Sequence, residues 1–166
     1  HSDAGYAPNG KDIVGSLAIA TTDFNDGRLS SGVSRQASKI FAEQLLSGIT
    51  RDMTFVYKRW NGRYLWDRNY SEPRLHEVPS AILETLPPQN FSDMALGDDP
   101  NVKFTFARSM YQTIVRYVNS MHGRSTIIAP LAPRNVSVEL TAKNQVQLSW
   151  SAQPDEQEPT ATPTYY

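Results

Sequence analysis

Short apolar runs alternate along the chain with two long stretches whose apolar residues recur at helical spacing. The first run, residues 13–22, reads IVGSLAIATT between turn-rich segments and predicts a buried strand. Further strands are predicted at residues 53–60, in the RYLW segment after the Asn61-Gly62 turn, and at residues 78–85. Strands that alternate with helices are typical of an α/β domain with a largely parallel sheet flanked by helices.

Both predicted helices have recognisable ends. Ser30 or Ser31 can cap the first helix. Asp98, Asp99 and Pro100 start the second, and Gly123 ends it at the C′ position. The apolar face of the first helix is predicted to contain Val33, Ala37, Ile40, Phe41, Leu45 and Ile49. That of the second is predicted to contain Val102, Phe106, Met110, Ile114, Tyr117, Val118 and Met121.

The chain changes character after Gly123. A proline-rich linker, residues 124–133, leads into two segments of alternating apolar residues, 136–140 and 146–150, which predict a β-hairpin. The hairpin resembles the first two strands of a fibronectin type III domain, with Trp150 as the core tryptophan. Since such a sandwich takes about 100 residues, residues 134–166 are expected to be an incomplete β-sandwich. Residues 1–123 form the predicted α/β domain, and the sequence is expected to be part of a longer protein.

Composition excludes several classes of function. The formal net charge is −1, so nothing recruits nucleic acid or an anionic membrane. No apolar run approaches the roughly 20 residues that span a bilayer. The chain has no cysteine, so it has neither disulfides nor a cysteine-ligated zinc site.

Glu84 stands out because it follows the apolar residues 81–83, just before the Pro87-Pro88 break. An ionised carboxylate is costly in the middle of a covered strand and is tolerated at its carboxyl end. In open α/β sheets that edge is where ligands bind, so Glu84 is a candidate site residue. Two alternatives remain: Glu84 caps the turn that follows, or it pairs with Arg68 or Arg74.

The segment VPSAILETLPPQN resembles the C-terminal motif of zinc-dependent N-acetylmuramoyl-L-alanine amidases, in which a proline, an apolar strand, a glutamate and an asparagine follow one another. Pro79, Glu84 and Asn90 match these positions. The opening HSDA resembles the family motif H-x-D/N-A, whose histidine is a zinc ligand. The resemblance covers residues 1 to about 122, roughly the second half of an amidase domain, and implies a partial amidase-like fold.

The resemblance also implies roles for single residues. His1 would be a zinc ligand, and Asp3 would orient it. Glu84 would be the general acid/base for hydrolysis of the amide between N-acetylmuramic acid and L-alanine in peptidoglycan. Asn90 would support the site, and Arg68 would face a substrate carboxylate. Peptidoglycan as the substrate implies a periplasmic, cell-envelope or secreted protein.

The family takes two further zinc ligands from its first half, so this chain alone is expected to be inactive. It also departs from the motif at Leu86 and Pro87, where the family has a glycine and then an aromatic residue. The alternative function is a non-catalytic envelope or glycan-binding module with an amidase-like shape. A third hypothesis is a copper site on a free amino-terminal His1, with His76 or His122 as a partner.

Three groups of residues also have plain structural interpretations. His76 is expected in a surface loop. His122 is expected to complement the carboxyl end of the second helix. The aromatic residues either stack on sugar rings or pack under the sheet, with packing favoured; they are Trp60, Tyr64, Trp66 and Tyr70.

Overall fold

The computed structural model describes residues 13–142 and 144–165, so His1 and Asp3 lie outside the described residues. The chain divides into two compact units between Val118 and Asn119. In chain order the strands and helices are β1 (Ser16–Ala20), α1 (Gln36–Val56), β2 (Gly62–Asp67), α2 (Ser71–Arg74), β3 (Ile82–Glu84), α3 (Phe91–Gly97), α4 (Pro100–Met121), β4 (Arg134–Ala142) and β5 (Gln145–Ser151). Among the described residues, none of the helices combines the length and the apolar character that a membrane span requires.

The first unit contains a three-stranded sheet in the order β2-β1-β3. β1 pairs with β2 in parallel and with β3 in antiparallel orientation, so the predicted α/β class is confirmed and the sheet is mixed. The connection from β2 to β3 contains only the one-turn helix α2. β3 therefore starts near the end of the sheet where β2 stops, and it runs back antiparallel to β1.

The predicted strand at residues 53–60 is wrong, because α1 continues to Val56. Met53 is fully buried, one helical turn after the fully buried Ile49. Both side chains belong to the core that also contains Leu83 and Phe106. Burial of this continuous helical face outweighs the strand propensity of the local Thr-Phe-Val-Tyr run.

The predicted cap at Ser30 or Ser31 is also wrong. α1 begins at Gln36, and the Ser31 hydroxyl instead donates to the carbonyl of Glu77. Val33 precedes the helix and is 40% exposed. A loop between β1 and α1, residues 21–35, takes the place of the predicted first turn.

Helix α4 confirms its prediction at both ends. The Asp99 carboxylate accepts from the backbone N–H of Asn101 at 2.8 Å, and Gly123 follows the helix with φ +62°. Tyr117 joins α4 to α1, because its hydroxyl donates to the carbonyl of Ala37 at 3.0 Å. Burial of the Tyr117 phenol raises its pKa above the ordinary value.

The second unit contains the predicted β-hairpin, in which Val138 faces Leu148 and Leu140 faces Val146. Alternation places their side chains on one face of the pair. These residues are 57–82% exposed. The fibronectin-like assignment and the predicted domain boundaries stay predictions.

Candidate functional site

Glu84 is the last residue of β3 and is only 6% exposed. It lies opposite Leu17 of β1, and the neighbouring Ser16 hydroxyl donates to the carbonyl of Thr85 at 2.8 Å. The strand end that carries Glu84 is therefore held to β1 by backbone pairing and by a side-chain hydrogen bond. The sequence placed this carboxylate correctly at the carboxyl end of its strand.

The face of the sheet on which Glu84 lies follows from the strand register. Ala18 and its partner Leu83 belong to the face that α1 covers, because Ala18 packs with Ala42 of that helix. Leu17 and Glu84 are next to them in the strands and so belong to the opposite face. Trp66, which pairs with Ile19, shares this face with Glu84.

Arg68 lies at the other end of the sheet. Its backbone N–H donates to the carbonyl of Ala20, at the carboxyl end of β1, whereas Glu84 faces Leu17 near the amino end. Its guanidinium donates to the carbonyl of Asp67 and lies 5.5 Å from the Trp66 ring. Arg74 donates to Asn69. Neither arginine pairs with Glu84, so the structure does not bring Arg68 and Glu84 together.

Asn90 has a clear structural role at the start of α3. It is fully buried, and its side-chain oxygen accepts from the backbone N–H of Asp93 at 3.0 Å. This is an N-cap bond. Asn90 therefore fixes the start of the helix that follows Glu84.

Asp93 has a structural role that the sequence did not predict. It is fully buried, and its two carboxylate oxygens accept from the backbone N–H groups of Val14 and Gly15 at 2.8 and 2.9 Å. These bonds tie α3 to the segment that enters β1. The Asn90-x-x-Asp93 spacing is a helix-start signal that could have located it.

Leu86 and Pro87, where the amidase motif is not matched, are both buried. Leu86 packs in the same core as Leu83 and Phe106. Next to it lies a cleft of about 320 Å³, lined mainly by apolar groups of Thr85, Leu86, Gly97, Val102, Lys103, Phe106, Ala107 and Met110. The departure from the motif therefore extends the core at the base of α4.

The aromatic residues separate into two environments. Trp60 is 5% exposed and packs edge-on against Phe106, with ring centroids 5.3 Å apart. Tyr64 is 45% exposed, and its ring lies 5.2 Å from the partly exposed ring of Trp66. The favoured packing role is confirmed for Trp60, whereas Tyr64 and Tyr70 are 45% and 43% exposed. The Tyr64–Trp66 pair forms an aromatic surface on the edge strand β2.

The histidines and the other possible metal ligands are dispersed. His76 lies exposed in the loop between α2 and β3, and His122 lies exposed just after α4. Within residues 13–142 and 144–165 there is no group of three histidine or acidic side chains placed to hold a metal ion. These residues alone therefore do not form a catalytic zinc site, which needs three protein ligands. The proposed ligand His1 lies outside the part described.

Comparison with known proteins identifies the fold. No family profile matches the chain, and no curated protein matches it. Among solved structures it is similar to the N-acetylmuramoyl-L-alanine amidase from Clostridium difficile 630, with a TM-score of 0.51 and 17% sequence identity. The match covers 69% of this chain and 54% of that enzyme, so the chain spans about half of the enzyme's length. The chain thus has an amidase-like fold.

Proposed function

We propose that this chain forms the C-terminal half of a peptidoglycan amidase domain that cleaves the bond between N-acetylmuramic acid and L-alanine. One observation carries the proposal: Glu84, the residue matched to the catalytic glutamate of the amidase motif, ends a strand in an amidase-like fold. The structural similarity to the solved amidase supports the fold, and the motif supports the reaction.

In this reaction Glu84 acts as general acid and base. Its carboxylate takes a proton from the attacking water and delivers it to the nitrogen of the leaving L-alanine. The backbone pairing with Leu17 and the bond from Ser16 to Thr85 fix the backbone from which the Glu84 side chain extends. A rigidly held base loses little entropy in reaching the transition state.

Zinc and its first ligand His1 belong to the proposal as well. The metal would supply Lewis-acid activation of the amide and water. The described residues contain no group of three histidine or acidic side chains placed to hold a metal ion, so the further ligands are proposed to lie outside them. Because the resemblance assigns two of the family's zinc ligands to its first half, the chain by itself is proposed to be inactive. A substrate in the cell wall places the protein in the periplasm, in the cell envelope or outside the cell.

The test is a substitution at Glu84 in the native protein, purified from the cells that make it. Glu84→Gln keeps the side chain's shape and removes its basicity, so we expect the release of peptides from peptidoglycan to fall by about 10²- to 10⁴-fold. The control is Glu77→Gln, because Glu77 is exposed in the loop before β3. Equal hydrolysis by the wild-type protein and the Glu84→Gln variant would refute the catalytic role of Glu84.

The second candidate function is glycan binding without catalysis. The observation that favours it is the aromatic surface formed by Tyr64 and Trp66, since such faces stack on the apolar faces of sugar rings. In this function the amidase-like fold would bind a glycan strand and leave it intact.

Binding to soluble glycan strands that lack stem peptides tests this alternative. We expect Trp66→Ala to weaken binding about tenfold, which corresponds to the loss of one stacking contact. Phe91→Ala is the matched control, because Phe91 is an exposed aromatic residue at the start of α3. Equal affinities of the wild-type chain and the Trp66→Ala variant would exclude this surface.

A further inference from the structure

Arg35 carries a buried positive charge at the end of the sheet opposite Glu84. It is 2% exposed and immediately precedes α1. Its Nε donates to the carbonyls of Phe24 and Arg28 at 3.0 Å each, and its Nη2 donates to the carbonyl of Arg74 at 2.7 Å. All three acceptors are neutral backbone groups. Its Nη1 is buried and has no hydrogen-bond partner.

Arg74 provides a second unused donor beside the same aromatic ring. The guanidinium carbons of Arg35 and Arg74 lie 5.0 and 5.1 Å from the ring centroid of Phe24. Arg74 donates from Nη1 to the side-chain oxygen of Asn69 at 2.9 Å, whereas its Nε is buried and has no partner. Two unused N–H donors therefore belong to two cations that lie against one ring.

Among the described residues, no carboxylate forms an ion pair with Arg35 or Arg74. Asp23 and Asp26 are exposed in the same loop and form no ion pair with an arginine of the described residues. The Asp67 carboxylate accepts from the backbone N–H and hydroxyl of Thr22. We call Arg35 and Arg74, whose guanidinium groups lie against Phe24, the arginine cluster.

We propose that the arginine cluster binds a small oxyanion, a phosphate or carboxylate group, through Arg35 Nη1 and Arg74 Nε. A buried charge needs a counter-charge, and a buried N–H needs an acceptor. An ordered water would satisfy the donors and leave the charge uncompensated. An oxyanion meets both requirements, because guanidinium groups bind phosphate and carboxylate with short charge-assisted hydrogen bonds.

This site is separate from the proposed amidase chemistry. Phe24 follows the carboxyl end of β1 and Arg74 ends α2, whereas Glu84 faces Leu17 near the amino end of β1. The two proposals can therefore fail independently. Absence of anion binding would not bear on the catalytic role of Glu84, and unchanged hydrolysis in the Glu84→Gln variant would not bear on anion binding by the arginine cluster.

The experiment measures thermal unfolding of the chain while inorganic phosphate or acetate replaces chloride at constant ionic strength. We expect a saturable rise in Tm with one of the two anions, and the stronger anion identifies the ligand as phosphate-like or carboxylate-like. Saturation matters because phosphate also stabilises proteins nonspecifically by exclusion from their surface. A rise that does not saturate with either anion would overturn the proposal.

Arg74→Gln is the decisive variant, since it keeps the backbone carbonyl that accepts from Arg35 and removes the guanidinium. We expect it to weaken the affinity for the anion at least tenfold by calorimetry. Arg124→Gln is the control, because Arg124 is an exposed arginine after α4. If Arg74→Gln fails to fold, Arg74→Lys replaces it, because lysine keeps the positive charge and lacks the guanidinium Nε donor, and a loss of affinity is again expected. Unchanged affinity in the folded variant would refute the site.

Discussion

Replacing Gly15 with alanine is expected to destabilise the first unit by about 4 kcal/mol, combining overpacking with backbone strain. A Cβ at this position would lie 1.6 Å from the carbonyl oxygen of Asn61 and 2.7 Å from its carbonyl carbon. Both are backbone atoms directly before β2, so the clash cannot be relieved by turning a side chain. Gly15 also has φ +78°, a conformation that L-residues with a side chain rarely adopt.

The matched control separates the clash from the strain. Gly32 has φ +85°, and a Cβ there would meet no atom within 4 Å. Gly32→Ala should therefore cost only the backbone strain, about 1–2 kcal/mol. Urea unfolding followed by circular dichroism measures both free energies. Equal losses in the two variants would mean that the contact between Gly15 and Asn61 contributes nothing.

Replacing Asp93 with asparagine is expected to cost about 3–5 kcal/mol, because a buried charged acceptor of two backbone N–H groups is lost. An asparagine can accept from one of the two, Val14 or Gly15, and its own amide group then faces the other donor. Because the side chain at position 93 is fully buried, water cannot replace the lost hydrogen bond. The loss should be visible in urea unfolding at neutral pH.

Asp98→Asn is the control for this change. Asp98 is exposed at the carboxyl end of the same helix, α3. Its substitution should change the free energy of unfolding by no more than about 0.5 kcal/mol. If Asp93→Asn were as mild as Asp98→Asn, the link between α3 and the entry to β1 would be held by other contacts.

Parts of the fold could be predicted because local signals agreed with one another. Helix α4 combines an acidic start, Pro100 in the first turn and a glycine stop. Its predicted apolar face is confirmed only in part, because Val102, Phe106 and Tyr117 are buried whereas Ile114, Val118 and Met121 are 40–56% exposed. The hairpin combines two alternating segments with a short turn. In both cases the element is encoded within its own residues, so the prediction did not depend on distant contacts.

Other elements could not be predicted, because their residues are compatible with two structures. Residues 53–56 have strand propensity, and only the burial of Met53 beside Leu83 and Phe106 makes them helical. The strand predicted at residues 78–85 is reduced to Ile82–Glu84. β3 pairs with β1 over only Leu17, Ala18 and Ile19, so the residues before Ile82 remain outside the ladder.

Of the candidate site, the sequence predicted the position of Glu84 in its strand but not the position of Arg68 in the sheet. The alternation of residues 78–85 and the proline break correctly located Glu84 at the end of a strand. The sequence did not reveal that Arg68 lies at the opposite end of the sheet. That separation follows from the antiparallel direction of β3, and a strand carries no local signal for the direction of its partner.

The sequence by itself determined the α/β class, the helix α4, the hairpin and the position of Glu84 at a strand end, because periodicity and capping act over a few residues. Tertiary structure alone decided the strand order, the buried bonds of Asp93 and the arginine cluster. These join residues far apart in the chain: Asp93 contacts Gly15 across 78 positions, and Arg35 contacts Arg74 across 39. Such pairs are selected by the packing of the whole unit, which local patterns do not encode.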